Sequence, residues 1–357
     1  MPARPDGAPS WTIEGFDGLR EIGRGGSATV YAARQLGLER AVAIKVLHVD
    51  LAADAARRRF ERECAVLGAL GESPGIVPVY SAAFTSDGRG CIVMRLMRES
   101  LAETLRREGP LDPRRVRDVG VAACVALGHA HARGVVHRDV KPANLLVSDS
   151  GEVALGDFDI AAGGSLPSST ITKDSMSPPH APPERLNGDG PSGPSSDVWS
   201  LGSTLYTLLD DRPPFGTADS PGGMAGLIQR VLHDPLPPLR RTDVPSDLFA
   251  VLQRAMAKNP ADRWPDVASM ADALRHVELE PAVSSAPTRA RSLDRPEASV
   301  ADPTEPPTPV AARSAPAEPG TSDSRWAGFT DAATIAIVVV AVLLAVAAAQ
   351  VGVDHAA

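Results

Sequence analysis

The sequence predicts an α+β fold in two lobes, a small β-rich lobe followed by a larger helical one. Two observations carry this. Short alternating apolar runs cluster before Leu101, and helical periodicity dominates after it. A third bounds the size: 357 residues allow one two-lobed domain or two ordinary ones, with room for tails. Hydrophobic content of 43% with only 4% aromatics implies a mostly aliphatic core.

In chain order, residues 1–10 read as a disordered N-terminus, without the apolar run of a signal peptide. The globular domain spans 11–277. It opens with the strand-like runs LREIGRGGSATVYAARQ and RAVAIKVLHV, continues with the amphipathic helical pattern AADAARRRFERECAVLGAL, and returns to a strand at CIVMRLM. Residues 278–330 are rich in proline and alanine and poor in aromatics. Such a segment cannot bury enough apolar surface to offset its ordering entropy, so a disordered linker is expected. Residues 332–353 carry no charge and are bracketed by Asp331 and Asp354. As a helix they would reach about 33 Å, the thickness of a bilayer core. A single C-terminal transmembrane helix is expected there, with the lipid bilayer as partner and 354–357 as a short outer tail. The basic residues, Arg325 nearest, precede this span, which places the main domain in the cytoplasm at the cell membrane. Ala341, Ala345 and Ala349 form a small-residue stripe that would permit self-association as a homodimer.

The net charge of −8 argues against nucleic acid as a partner. Cys64, Cys91 and Cys124 are odd in number and form no C-x-x-C pair, so buried reduced thiols are expected rather than a disulfide framework or zinc site.

IGRGGSATVY, residues 22–31, lies between two strand-like runs. Ile22 opens it, and Gly23, Gly25 and Gly26 would let backbone N–H groups approach phosphate oxygens. The last glycine of a G-x-G-x-x-G pattern is replaced by Ala28. About twenty residues on, VAIK ends in Lys45, spaced as a phosphate-contacting lysine would be. Such a lysine needs a carboxylate to hold its stem. Glu63 is favoured over Glu61 from its spacing and the RFEREC context.

VVHRDVKPANLLV, residues 135–147, is the most specific stretch. It packs His137, Arg138, Asp139, Lys141 and Asn144 around a proline, between apolar runs. Asp157 follows behind the apolar run VALGD. Asn144 and Asp157 offer oxygen ligands that suit Mg²⁺, and Asp139 can accept or orient a hydroxyl proton.

The ordered set resembles the bacterial eukaryotic-like (Hanks-type) serine/threonine protein kinases, and the resemblance covers about 11–277. It extends to PPE at 182–184, to SDVWSLG with Asp197, and to NPADRW with Arg263, which would pair with Glu184. The resemblance implies a bilobal protein-kinase-like fold, ATP and Mg²⁺ (or Mn²⁺) as cofactors, and protein substrates phosphorylated on Ser or Thr. It assigns Lys45 to the α- and β-phosphates, Asn144 and Asp157 to the metal, Asp139 to the substrate hydroxyl, and Lys141 to the charge on the transferring phosphoryl group. Val30, Ala43 and Leu146 would sandwich adenine. Met94 would stand behind that pocket, with Leu96 and Met97 at the hinge.

One departure is central. The metal loop reads Asp-Phe-Asp, with Asp159 where the family has glycine. The metal-ligating carboxylate is on Asp157, so a working kinase is expected, and a pseudokinase scaffold is the alternative. The segment between Asp157 and Glu184 reads as a mobile loop with Thr170 and Thr172 as candidate phosphosites; Arg138 could receive such a phosphate. A merely flexible polar loop is the competing reading. Ser177, His180 and Pro182 stand where the family usually has threonine, tyrosine and alanine.

Overall fold

The structure, a computed structural model, describes residues 9–50, 54–158, 178–188 and 193–279. The chain divides into two units, 1–284 and 285–357, and every described residue belongs to the first. The expected linker beyond Leu279, the apolar span 332–353, residues 1–8 and Asp159, Thr170, Thr172 and Ser177 lie outside the described residues. Among the described residues, no helix is long and apolar enough to cross a membrane.

The first lobe is a five-stranded antiparallel sheet in the order β1 (Phe16–Arg24), β2 (Ala28–Gln35), β3 (Arg40–Asp50), β5 (Arg89–Arg95), β4 (Val79–Phe84). Helix α1 (Asp54–Leu70) interrupts the strands. Because side chains alternate across a strand, the sheet has two distinct faces. Tyr31, Ala33, Val42, Ile44 and Val46 pack with Trp11 and Ile13 on the outer face. On the other face Ile92 packs with Phe60 and Cys64 of α1. Lys45 alternates with Ile44 and Val46, so it projects toward the inner face. β4 was not evident in the sequence, since VYSAAF is only weakly alternating and half-exposed.

The second lobe begins with a small antiparallel sheet, β6 (Glu99–Ser100), β7 (Leu145–Val147) and β8 (Val153–Leu155). Helix α2 (Leu101–Glu108) starts with a capping box: Ser100 Oγ accepts from Glu103 N, and Glu103 accepts from Ser100 N. Helix α3 (Pro113–His131) is capped by Asp112 and opens on a proline. Short α4 (Pro183–Asn187) precedes α5 (Pro194–Asp210), followed by α6 (Gly223–His233), α7 (Ser246–Ala255) and α8 (Val267–Arg275). Every residue of α5 from Ser196 to Asp210 is buried, so this helix is the axis of the lobe. Leu201, Leu205 and Leu208 of α5 pack with Val116, Ala123 and Leu127 of α3 and with Met270 and Leu274 of α8. Gly120 makes that approach feasible, because a Cβ there would fall 2.8 Å from both Leu205 and Leu274.

All three cysteines are buried free thiols, and burial pushes each up to about 12. Buried free thiols are what their number and spacing lead one to expect, and thiols raised this far are poor nucleophiles.

Candidate active site

The cleft is lined from above by the first lobe. Residues β1 and β2 form a hairpin closed by Gly25 N donating to Ala28 O at 2.8 Å. Neither Gly23 nor Gly25 has a positive φ, and a Cβ on Gly23 would meet nothing within 4 Å. The hairpin itself does not require glycine at these positions. Open backbone here suits an approaching anion instead. Val30 pairs with Lys45, and Ala43 with Met94, which brings the expected adenine-contacting residues into neighbouring strands. Ile22 is exposed on β1 beside the hairpin. Leu96 and Met97 lie between β5 and β6, where the chain passes from one lobe to the other.

The ammonium of Lys45 crosses the cleft to the carboxylate of Asp157, 112 residues later. Asp157 follows β8 with φ 62°, an unusual conformation for a residue other than glycine. Burial works to raise its carboxyl. The charge and hydrogen bond of Lys45 outweigh this, with His137 and Lys141 adding to them, and Asp157 is held below the ordinary carboxylate range. Of the two glutamates on α1, Glu63 is largely covered (17% exposed) and 3.9 Å from Arg59. Glu61 is 48% exposed beside Arg57.

The catalytic-loop residues meet below. Lys141 Nζ lies 2.6 Å from Asp139 Oδ2. Asn144 is buried and its Nδ2 donates to Asp139 O at 2.7 Å, which commits the amide nitrogen and leaves its oxygen for a metal. Leu146 on β7 closes under Gly156, with Cδ1 3.1 Å from where a Cβ on that glycine would sit.

Asp197 braces this loop from α5. Its Oδ1 accepts from Arg138 N and its Oδ2 from His137 N, each at 2.8 Å. Arg138 has φ 68°, a strained position that costs about 1–2 kcal/mol for such a residue, and the carboxylate holds it. His131 Nε2 also meets Asp197 Oδ2 at 2.8 Å, and Arg185 donates to Arg138 O. Neither His131 nor Arg185 stood out in the sequence, since each is one of several polar residues on its helix and belongs to no motif. His137 accepts from Asp139 N at Nδ1, so its Nε2 carries the proton and donates to Gly156 O at 2.9 Å. Its ring lies 4.5 Å from that of Phe158, which ties the two catalytic segments together.

Two further contacts brace the second lobe. Arg263 is buried, and its two terminal nitrogens meet the two oxygens of Glu184 at 2.9 and 2.8 Å. His180 Nδ1 meets Ser203 Oγ at 2.9 Å, and burial lowers the imidazole to about 4, so it is neutral at physiological pH.

A carboxylate and an amide oxygen beside a lysine and an open glycine hairpin form a donor set that fits a hard divalent cation carrying polyphosphate. Fold and cleft together define a nucleotide-dependent phosphotransferase. The chain belongs to the protein kinase domain family, which matches residues 16–277. It is 42% identical over 273 residues to serine/threonine-protein kinase PknK of Mycobacterium bovis, an alignment covering 76% of this chain and 24% of that protein. It is 38% identical over 283 residues to serine/threonine-protein kinase PknB of Mycobacterium tuberculosis, covering 76% of this chain and 44% of the relative. For PknB of Mycolicibacterium smegmatis the figures are 39% over 264 residues, 71% and 41%. The chain thus spans less than half the length of these curated relatives.

Proposed function

We propose that this chain is a serine/threonine protein kinase that transfers the ATP γ-phosphate to hydroxyls of itself and of protein substrates. The observation that carries the reading is the convergence of Lys45 and Asp157 across the cleft, above Asp139, Lys141 and Asn144. Phosphoryl transfer needs positioning and charge stabilisation more than covalent chemistry, and each charged group for this is in place. Asn144 and Asp157 would hold Mg²⁺ or Mn²⁺. Once bound, the metal would offset charge developing on the phosphates. Lys45 holds the α- and β-phosphates. Asp139 orients the acceptor hydroxyl and can take its proton, and Lys141, already against Asp139, adds positive charge where the phosphoryl group passes.

Met94, Leu96 and Met97 bound the adenine end of the cleft, with Val30, Ala43 and Leu146 above and below it. Thr170 and Thr172 are proposed phosphosites, with Arg138 as the phosphate receptor. Residues 332–353 are proposed to anchor the chain in the cell membrane with the kinase domain in the cytoplasm, where it signals; dimerisation would run through the alanine stripe. The alternative, a catalytically silent scaffold, rests on Asp159 alone.

The test is incorporation of label from γ-labelled ATP by the 357-residue chain with Mg²⁺ or Mn²⁺, beside Asp139→Asn. Label in the first and near-background label in the second supports the kinase. Nucleotide binding without incorporation in both supports the scaffold. For the anchor, the chain should fractionate with membranes and lose that on deletion of 332–353.

A further inference from the structure

His48 lies on β3, three residues beyond Lys45, and the nucleotide chemistry makes no use of it. Its backbone N–H donates to Ser27 O at 2.9 Å, which carries the β2–β3 ladder into the glycine hairpin. Its ring makes two further bonds. Nδ1 lies 3.0 Å from Gly26 O and Nε2 2.9 Å from Thr29 Oγ1. A carbonyl oxygen only accepts, so Nδ1 carries the proton, and in the neutral ring Nε2 accepts from the Thr29 hydroxyl. One residue thus holds the tip of the hairpin at two consecutive carbonyls.

The face on which this happens matters. Thr29 pairs with Val46, and Val46 belongs to the outer cluster with Ile44 and Tyr31. His48 is two residues from Val46 and contacts Thr29, so its ring is on that outer face. Lys45, of opposite parity, reaches into the cleft. The Gly26–Ser27 peptide is trans, as is every described peptide bond. In a planar trans peptide the C=O and the following N–H point in opposite directions. A Gly26 carbonyl held outward therefore aims the Ser27 N–H inward, toward the cleft.

We infer that His48 is a positioning residue of the nucleotide site: its grip on the Gly26 carbonyl turns the Ser27 N–H toward the phosphates of the bound nucleotide. The inference rests on the proposed ATP site. It assigns His48 a selective effect, felt by ligands that carry phosphates and not by the nucleoside alone. A histidine that merely stabilised the hairpin would affect both alike.

The experiment measures dissociation constants of a non-hydrolysable ATP analogue and of adenosine, by calorimetry, for the 357-residue chain and for His48→Ala and His48→Asn. Asparagine places its amide Nδ2 where the imidazole has Nδ1, so it keeps the donor to Gly26 O. Expected is a weakening of about 3- to 10-fold for the ATP analogue in His48→Ala, the scale of one net hydrogen bond, with adenosine unchanged. His48→Asn should return the ATP analogue to within about 2-fold of the parent chain. Equal loss for both ligands, no loss for either, or no recovery in His48→Asn would overturn the inference while leaving the ATP site intact. Failure of the parent chain to bind the ATP analogue would overturn the kinase reading and this inference with it.

Discussion

Arg263 and Glu184 form a two-pronged ion pair in which the guanidinium is wholly buried. Its Nη2 lies 2.8 Å from Glu184 Oε2 and its Nη1 2.9 Å from Oε1. The remaining N–H groups are committed as well, to Ala257 O, Ser195 O and Lys258 O. The pair fixes α4 against α5 and the turn before α8.

Removing one partner strands the other. Arg263→Ala should destabilise the described domain by about 3–5 kcal/mol, the cost of leaving a buried charge unpaired, read as a shift in urea midpoint. Burial raises the Glu184 carboxyl, but the Arg263 bond and charge dominate and its pKa is lowered. A lowered carboxyl contributes stability above its unfolded pKa, and this is lost as pH falls through the folded value. The parent chain should therefore lose stability on acidification below the ordinary glutamate range, and Arg263→Ala should show a smaller loss over the same window.

Asp139→Asn tests the catalytic assignment. The amide keeps the size and the contact with Lys141 but cannot accept the hydroxyl proton. The rate of phosphate incorporation should fall by roughly 10²- to 10⁴-fold, while affinity for the ATP analogue stays within about 2-fold of the parent. A rate equal to the parent's would remove Asp139 from that role.

Lys45→Met tests the cross-cleft pair. Burial already works to raise the Asp157 carboxyl, and Lys45 is the largest influence against it. Without the ammonium the Asp157 pKa should climb, measured by carboxyl-carbon NMR against pH. In the parent chain the depressed Asp157 contributes stability above the ordinary aspartate pKa, lost as pH falls through its folded value. The variant should lose this contribution. An unmoved Asp157 titration would show that the bridge does not set it.

Asp159→Gly restores the family residue. Where the loop demands a left-handed residue, Asp in place of glycine costs about 1–2 kcal/mol, enough to bias a loop but not to remove the carboxylate of Asp157. Labelling by the variant should equal or exceed that of the parent. A large loss would show that Asp159 has a role of its own.

Much of the site could be read from the sequence because its chemistry is locally dense. His137, Arg138, Asp139, Lys141 and Asn144 crowd one loop, and the hairpin glycines sit in another, so their order alone brought the family resemblance. Other parts were hidden for definite reasons. β4 lacks clean alternation. Spacing and the RFEREC context favour Glu63 over Glu61 as the carboxylate for Lys45; Glu63 is the more covered of the two, but the ion pairs seen join Glu63 to Arg59 and Lys45 to Asp157. Arg185 and His48 act through backbone carbonyls of other segments, and His131 through the carboxylate of Asp197, and a one-dimensional pattern carries no sign of such meetings.

The sequence by itself determined the composition of the two polar loops, the two-lobe order of strands then helices, and the identity of the groups proposed to hold nucleotide and metal. Only the tertiary structure decided that Lys45 and Asp157 share one point in space, that Asp197 braces the strained Arg138, and that His48 faces outward under the hairpin. The reason is physical. Residue chemistry and periodicity are local properties of the chain. Which distant groups meet is fixed by the packing of a buried α5 and a two-faced sheet, whose balance of many small contacts no single motif encodes.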